Sequence, residues 1–581
     1  MNIDPLRMEV IKNSLISVTE EMSATLHRSA YSTNIKTRKD YSCALFDNRM
    51  RLIAQAFAQP GHLGVIWRLL PAAVSRQAVL EEDDVIIVND PYNGAGHLND
   101  IALIAPIFHK GRLFGYVANM AHHVDVGGGA PASFYISKEI YQEGIIIPSL
   151  KLYSRGKLNE PLLALLVRNV RAKREVPGDL RAQVAANNIG KIRARELLER
   201  YGAEPLEQYI EALLEYTEDR TLKAFRDLPH GIFSAEDFID DDGFTDQPIR
   251  IQARVSIDED GILCDFSGTD LQRKSPMNGT IAFAYTAVSF VLKCLISDDI
   301  PVNDGFYRCI KLRVPEGTVL NCKEPSGVVG GYELAQRAIG TLFKAFSQVI
   351  PERITAASKG NVGHLGFGGY DPHKGESYAF LETLGGGGGG RLGKDGIEGI
   401  QCDISNTENA PVEEMEIGYP VRILRYSLIP DSGGPGRWRG GLGIRRDYRF
   451  TAPETTVTIF SDRAKFPPWG LLGGKTGALA RFIRNPDSPA PELLRSKCIL
   501  EVGPDEVISL QTPGGGGYGD PGERDPHAVW LDVVRGKISP QSAERDYGVV
   551  LNRHGDLDRG RTESLRRASS AQTRPASGEG A

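Results

Sequence analysis

Leu6, Val10, Ile11, Leu15, Val18, Met22 and Leu26 recur at helical spacing behind Asp4-Pro5. That stripe predicts an N-terminal helix, with Asp4 as its cap and Pro5 pre-organised at the first position. Ser42–Phe46 and Arg51–Gln55 read as strands joined at Asp47-Asn48-Arg49, and Asp84–Asn89 reads as a third, stopped by Asp90-Pro91. Ile101–Phe108 and Leu113–Val117 flank His109-Lys110-Gly111-Arg112, the pattern of a β-hairpin. Residues 160–228 carry helical periodicity, with breaks expected at Pro177-Gly178 and around Gly202–Pro205.

Beyond residue 230 the texture changes. Residues 248–315 alternate like strands except Ile281–Leu295, a helix candidate, and Glu333–Val349 reads as a second helix. Residues 376–525 are rich in glycine and proline with short strand-like runs. From about 553 the chain is dominated by Arg, Ser, Glu, Ala and Gly, which predicts a disordered tail. The expected organisation is therefore four segments. Residues 1–230 hold an N-terminal helix, a mixed sheet and a helical stretch; 231–375 are mixed; 376–552 are β-rich; 553–581 are the tail. Helix-rich and strand-rich blocks that do not alternate predict a multidomain α+β fold rather than a doubly wound sheet.

Composition narrows the partners. The chain has 581 residues, 41% hydrophobic and 24% charged, which excludes a wholly disordered protein. The net charge is −6 and the Lys and Arg residues form no basic stripe, which argues against a nucleic-acid partner. No apolar run approaches the length that spans a bilayer. Seven dispersed cysteines without a CxxC pair, and no leader-like N-terminus, predict reduced thiols and a cytoplasmic protein.

The chemistry concentrates in one place. Histidine is scarce, yet His97, His122 and His123 stand close in sequence beside Asp90, Asn99, Asp100 and Asp125. A two-residue turn at Lys110-Gly111 would set Asp100 opposite Ala121 and His122 opposite Asn99; a three-residue turn could set His122 opposite Asp100. Both registers gather His97, Asp100 and His122 at the open end of the hairpin. Two imidazoles and a carboxylate suit one divalent ion, Zn²⁺ or Mn²⁺, with open positions for a water that the ion can acidify. Gly94, Gly96 and Gly127–Gly129 would let backbone approach such a centre. Weaker signals are set aside. Trp469–Thr476 lacks the first glycine and the preceding strand of a phosphate loop. Gly385–Gly390 reads as a flexible loop more readily than as an anion cradle, and Cys43 as a buried thiol.

Longer strings carry a resemblance. Arg38-Lys39-Asp40-Tyr41-Ser42-Cys43, Asn89-Asp90-Pro91, Gly96-His97-Leu98-Asn99-Asp100 and His122-His123-Val124-Asp125-Val126-Gly127-Gly128 all carry it, as do Asn406-Thr407, Asp431–Gly436 and Thr512–Gly519. Together they resemble the hydantoinase B/5-oxoprolinase family over about residues 3–550. The resemblance implies a B-type subunit of an ATP-dependent cyclic-amide hydrolase, assembled with an A-type partner that binds ATP and phosphorylates the amide. It implies a metal held by Asp40, His97, Asp100 and His122, with Asp40 also a base for the attacking water. It implies supporting catalytic roles for His123 and Asp125, the carboxylate orienting an imidazole. Related ketone carboxylases supply the alternative activity, and a non-catalytic subunit stapled by its metal is a third reading.

Overall fold

The structure, a computed structural model, describes residues 3–56 and 59–572. The first helix runs Pro5–Ser29, and the Asp4 side chain accepts from the Leu6 amide at 3.1 Å. Ile11, Leu15, Val18, Met22 and Leu26 are buried as the stripe predicts, whereas Leu6 and Val10 are exposed because they lie about 100° or more around the helix from Ile11, and Met8 packs on the core instead. Seven strands follow: β1 Tyr41–Asp47, β2 Leu52–Gln55, β3 Val85–Val88, β4 Asp100–His109, β5 Arg112–His122, β6 Leu150–Ser154 and β7 Lys157–Leu158. They form one sheet in the order β2-β1-β5-β4-β3-β6-β7. Every pairing in it is antiparallel, so the mixed pairing expected there is absent from this sheet.

Both faces of this sheet are covered, and that explains its nearly continuous apolar runs. Ala44, Phe46, Ala102, Ile104, Ala118 and Met120 face one core, shared with helix Leu63–Val74. Cys43, Leu45, Leu103, Val117 and Ala121 face the other, shared with Pro5–Ser29 and Glu175–Tyr201. The expected break at Pro177-Gly178 does not occur. Pro177 sits in the first turn of Glu175–Tyr201, where its missing N–H costs little, and Gly178 lies against Tyr31. The break at Gly202 (φ 81°) does occur.

The β4–β5 register combines both sequence alternatives. Lys110 and Gly111 take positive φ in a two-residue turn that pairs His109 with Arg112 and Phe108 with Leu113. Phe114 is then an extra residue, a β-bulge, so Ile107 faces Gly115 and Asp100 faces His122.

In the middle of the chain, β8 Gly231–Ile239, β9 Ile249–Asp258, β10 Gly261–Asp265 and β11 Lys311–Arg313 form a four-stranded sheet in which only β11 pairs parallel. Helices Ile281–Cys294 and Gly331–Phe346 join this sheet to the apolar core of the N-terminal one. The C-terminal part has two antiparallel sheets around a third core that includes Leu365, Phe380, Tyr448, Val457 and Ile508. A buried ion network ties the parts together. Arg337 reaches Asp462 and Asp237, Arg463 reaches Asp237 at 3.1 Å, and Lys497 reaches Asp462 at 3.3 Å.

The glycine run 385–390 is no flexible loop. It is a packed strut, tied by backbone bonds to other extended glycine-rich segments: Gly387 N–H to Pro513, Gly390 N–H to Gly516, Gly441 N–H to Gly388 and Gly515 N–H to Gly441. A Cβ on Gly387, Gly389, Gly440 or Gly515 would lie within 2.1 Å of a neighbouring carbonyl oxygen, so backbone packs on backbone with no room for side chains. Gly470 and Gly474 of the phosphate-loop look-alike, and Gly477 just after it, belong to the same bundle. Gly389→Ala, with its Cβ 1.8 Å from the Ala356 oxygen, is expected to cost about 1–3 kcal/mol. A lowered midpoint in calorimetry checks this, and an unchanged one would refute the packing argument.

The predicted disordered tail is corrected as far as residue 572. Arg559–Gln572 is helical, and Arg566 donates to the Tyr547 and Arg524 carbonyls while Thr562 accepts the Val550 amide. Arginine-rich composition suggested solvation, but here arginine and threonine meet the polar backbone of the preceding small helical unit. Residues 573–581 lie outside the described residues. Among the described residues, no helix is long and apolar enough to cross a membrane.

Candidate metal centre

Asp100 opens β4 and His122 closes β5, so the bulge at Phe114 sets them directly opposite on one face of the sheet. His97 joins them from the loop before β4. Asn89 pins that loop, donating to the Leu98 and Ile145 carbonyls and accepting from the Ile147 amide, and Asn99 donates to the carbonyls of His123 and Ala132. A Cβ on Gly96 would stand 2.5 Å from an Asp100 oxygen, so the loop can pass this close only with glycine.

Asp100 is fully buried. Its Oδ2 lies 3.2 Å from His97 Nδ1 and its Oδ1 3.4 Å from His122 Nδ1, while the Tyr332 hydroxyl donates to Oδ2 at 2.8 Å. One ligand atom from each of His97, Asp100 and His122 falls within 4.8 Å of the others. His97 Nδ1 and Nε2, His122 Nε2 and Asp100 Oδ1 are buried and make no aligned hydrogen bond. Buried polar atoms left so are costly unless a ligand meets them, and two imidazoles with a carboxylate are a donor set that fits a divalent cation. Burial pushes the Asp100 carboxyl up, but the surrounding imidazoles hold it well below the usual carboxylate range, so it is an anion there.

Asp40 borders the same cleft without joining the compact triad. Its Oδ1 accepts from Gln59 at 3.1 Å and stands 3.8 Å from His62 Nε2, and its backbone oxygen accepts the His122 amide. Arg38 explains its string differently: it is buried and ties the N-terminal region to the Leu381 and Glu408 carbonyls and the Thr383 hydroxyl. Asn406 donates its amide to Gln59, and Thr407 shares a hydroxyl contact with Thr383, which closes the cleft from the C-terminal side.

His123 and Asp125 do not take the supporting roles expected of them. Neighbouring residues of an extended chain point to opposite faces, so His123 turns toward helix Glu175–Tyr201 and meets Gln183 at 3.0 Å. Asp125 accepts from the backbone and guanidinium of Arg171, and among the described residues its carboxylate orients no imidazole.

Four residues of the site were missed. His62 Nε2 lies 3.8 Å from both Asp100 and Asp40, with its Nδ1 held by Ser42. Tyr332 and Glu333 come from the first turn of helix Gly331–Phe346, and His364 opens strand His364–Asp371. The faint signals in the sequence were Pro60-Gly61-His62 and Gly363-His364, each a lone histidine behind a glycine. Cys43 is a buried thiol as expected, and burial pushes it up, away from nucleophilic use.

Known proteins resemble this chain over most of its length. The family model Hydantoinase B/oxoprolinase matches residues 4–521. An uncharacterised protein of Methanocaldococcus jannaschii is 41% identical over 574 residues, covering 97% of this chain and 100% of that one. A protein of Pseudomonas sp. (strain NS671) assigned as a D-/L-hydantoinase component is 33% identical over 591 residues, covering 97% and 98%. Among solved structures, the ATP-dependent caprolactamase of Pseudomonas jessenii superposes with a TM-score of 0.91 at 29% identity, covering 98% of this chain and 100% of that one. An acetone carboxylase superposes with a TM-score of 0.90 at 20% identity, covering 99% and 84%, a likeness of fold alone.

Proposed function

This chain belongs to the hydantoinase B/oxoprolinase family, and from that premise we propose that it is the ring-opening subunit of an ATP-dependent cyclic-amide hydrolase. An A-type partner binds ATP and phosphorylates the amide oxygen of a hydantoin, 5-oxoproline or lactam ring, and this chain brings water to the activated carbon. The observation that carries the reading is the buried triad His97, Asp100 and His122, whose unpartnered atoms converge at the mouth of one hairpin.

Those three side chains would hold a divalent cation, Zn²⁺ or Mn²⁺; when bound it supplies a Lewis acid that lowers the pKa of water. Tyr332 keeps Asp100 in place through its hydroxyl. Asp40, steadied by Gln59, stands at the cleft wall to take the proton that water loses on attack. The apolar surroundings of the triad keep bulk solvent from competing.

The test is reconstitution of the chain with its A-type partner, ATP and a panel of hydantoin, 5-oxoproline and caprolactam. Ring opening with phosphate release supports the reading, and one divalent cation per chain by elemental analysis supports the metal. Bicarbonate-dependent consumption of acetone in the same mixture would replace it with the carboxylase alternative. A metal-loaded chain inactive in both assays would favour the staple.

A further inference from the structure

His364 faces the same cleft from across the molecule. It opens strand His364–Asp371 of the C-terminal sheet, pairing with Thr383 and Phe460, and is 4% exposed. It lines the cleft with Asp40, His97 and His122. Its Nδ1 lies 3.4 Å from Glu333 Oε1 without an aligned hydrogen bond, and Glu333 is itself fixed, accepting the Val362 and Gly363 amides at 3.0 Å. Phe134 packs on the imidazole with ring centroids 4.4 Å apart. A small turn of the ring would give Nδ1–H to this carboxylate, the tautomer that leaves Nε2 to accept. Burial lowers the basicity of His364. A buried imidazole beside a buried carboxylate is a costly arrangement, and it has no part in the triad.

The proposed reaction has a need that this pair fits. Phosphorylating an amide oxygen leaves a C=N bond beside a good leaving group. Water adds to the carbon, the C=N π pair moves to nitrogen, and nitrogen takes one proton. The resulting centre carries a hydroxyl, a phosphate and the ring nitrogen. If the C–O bond to phosphate breaks, the phosphate leaves with that pair, the hydroxyl loses its proton, and the original closed amide returns with ATP spent. Ring opening requires the C–N bond to break instead. Nitrogen then keeps the bond pair and must receive a second proton, while the hydroxyl oxygen re-forms C=O and an acyl phosphate awaits a second water. Phosphate leaves more readily than an unprotonated amine, so the outcome depends on a proton delivered to nitrogen.

We propose that His364, oriented by Glu333, is the group that relays the hydroxyl proton to the ring nitrogen and so commits each phosphorylated ring to opening. The inference rests on the ring-opening function proposed above. Asp40 takes the first proton of the attacking water and returns it to nitrogen as the addition completes; the second, from the hydroxyl, travels through His364. Glu333 is a positioning residue.

Coupling is the readout. In the reconstituted complex with 5-oxoproline, hydantoin or caprolactam and ATP, phosphate released and rings opened are measured together. The wild-type ratio is expected near one. His364→Gln and His364→Asn are expected to slow ring opening about a hundredfold while substrate-dependent phosphate release persists, so the ratio rises well above ten. Glu333→Gln, which retains an acceptor for one of the two loop amides, is expected to raise it less. Unfolding midpoints and metal content near wild type for at least one His364 variant show that the effect is local. If both His364 variants keep a ratio near one, whatever their rates, the relay is overturned and the ring-opening function stands. If the wild-type complex opens none of the rings, that function falls and the relay falls with it.

Discussion

Asp100→Asn is expected to lower ring-opening turnover by at least about a thousandfold and to strip the divalent cation from the purified chain. The substitution keeps the size of the side chain and removes its charge. Both carboxylate oxygens have uses: Oδ2 faces His97 and accepts from Tyr332, and Oδ1 faces His122, with His62 3.8 Å away. An amide can satisfy only one side. If its oxygen serves Tyr332, its NH₂ points at the imidazoles and leaves two neutral nitrogens to hold a dication without an anion. Elemental analysis and steady-state kinetics on the reconstituted complex check both halves. A variant that keeps its metal and most of its activity would remove Asp100 from the site.

Arg337→Ala is expected to destabilise the folded chain by about 3–5 kcal/mol, the usual consequence of removing one partner from a buried ion pair. Arg337 is fully buried on helix Gly331–Phe346 and reaches Asp237 of β8 and Asp462 beyond strand Thr455–Phe460. Its loss leaves Asp462 to Lys497 and Asp237 to Arg463. Asp241 also draws on Lys497, at 3.8 Å, so the carboxylates left in this dry interior outnumber its cations. The same helix presents Tyr332 to Asp100 and Glu333 to His364, so the network also anchors the element that carries them. Calorimetry of the isolated chain reads the effect, and a midpoint unchanged from wild type would show that the network contributes nothing net.

What the sequence revealed follows the range of the interactions involved. The Pro5–Ser29 helix was legible because its cap and apolar stripe lie within the helix itself. His97, Asp100 and His122 were legible because one hairpin carries them. Their exact opposition was not, since it depends on a bulge at Phe114 that no turn residue announces. His62, Tyr332, Glu333 and His364 reach the cleft from separate parts of the chain, and only tertiary packing brings them together. His123 and Asp125 misled for a related reason. Adjacency in the string suggested one site, whereas alternation along the strand sends His123 to the far face and Arg171 claims Asp125. Gly385–Gly390 misled through composition, because a run without side chains is flexible alone but rigid when other such runs press against it.

Melting an interior like that glycine bundle wets peptide groups in place of aliphatic carbon. Newly hydrated polar surface lowers the heat capacity of the unfolded chain, whereas apolar surface raises it. The glycine bundle therefore adds less to the heat capacity of unfolding than a leucine-filled interior of the same size, whereas the apolar core that holds the strand bearing His364 adds the usual amount.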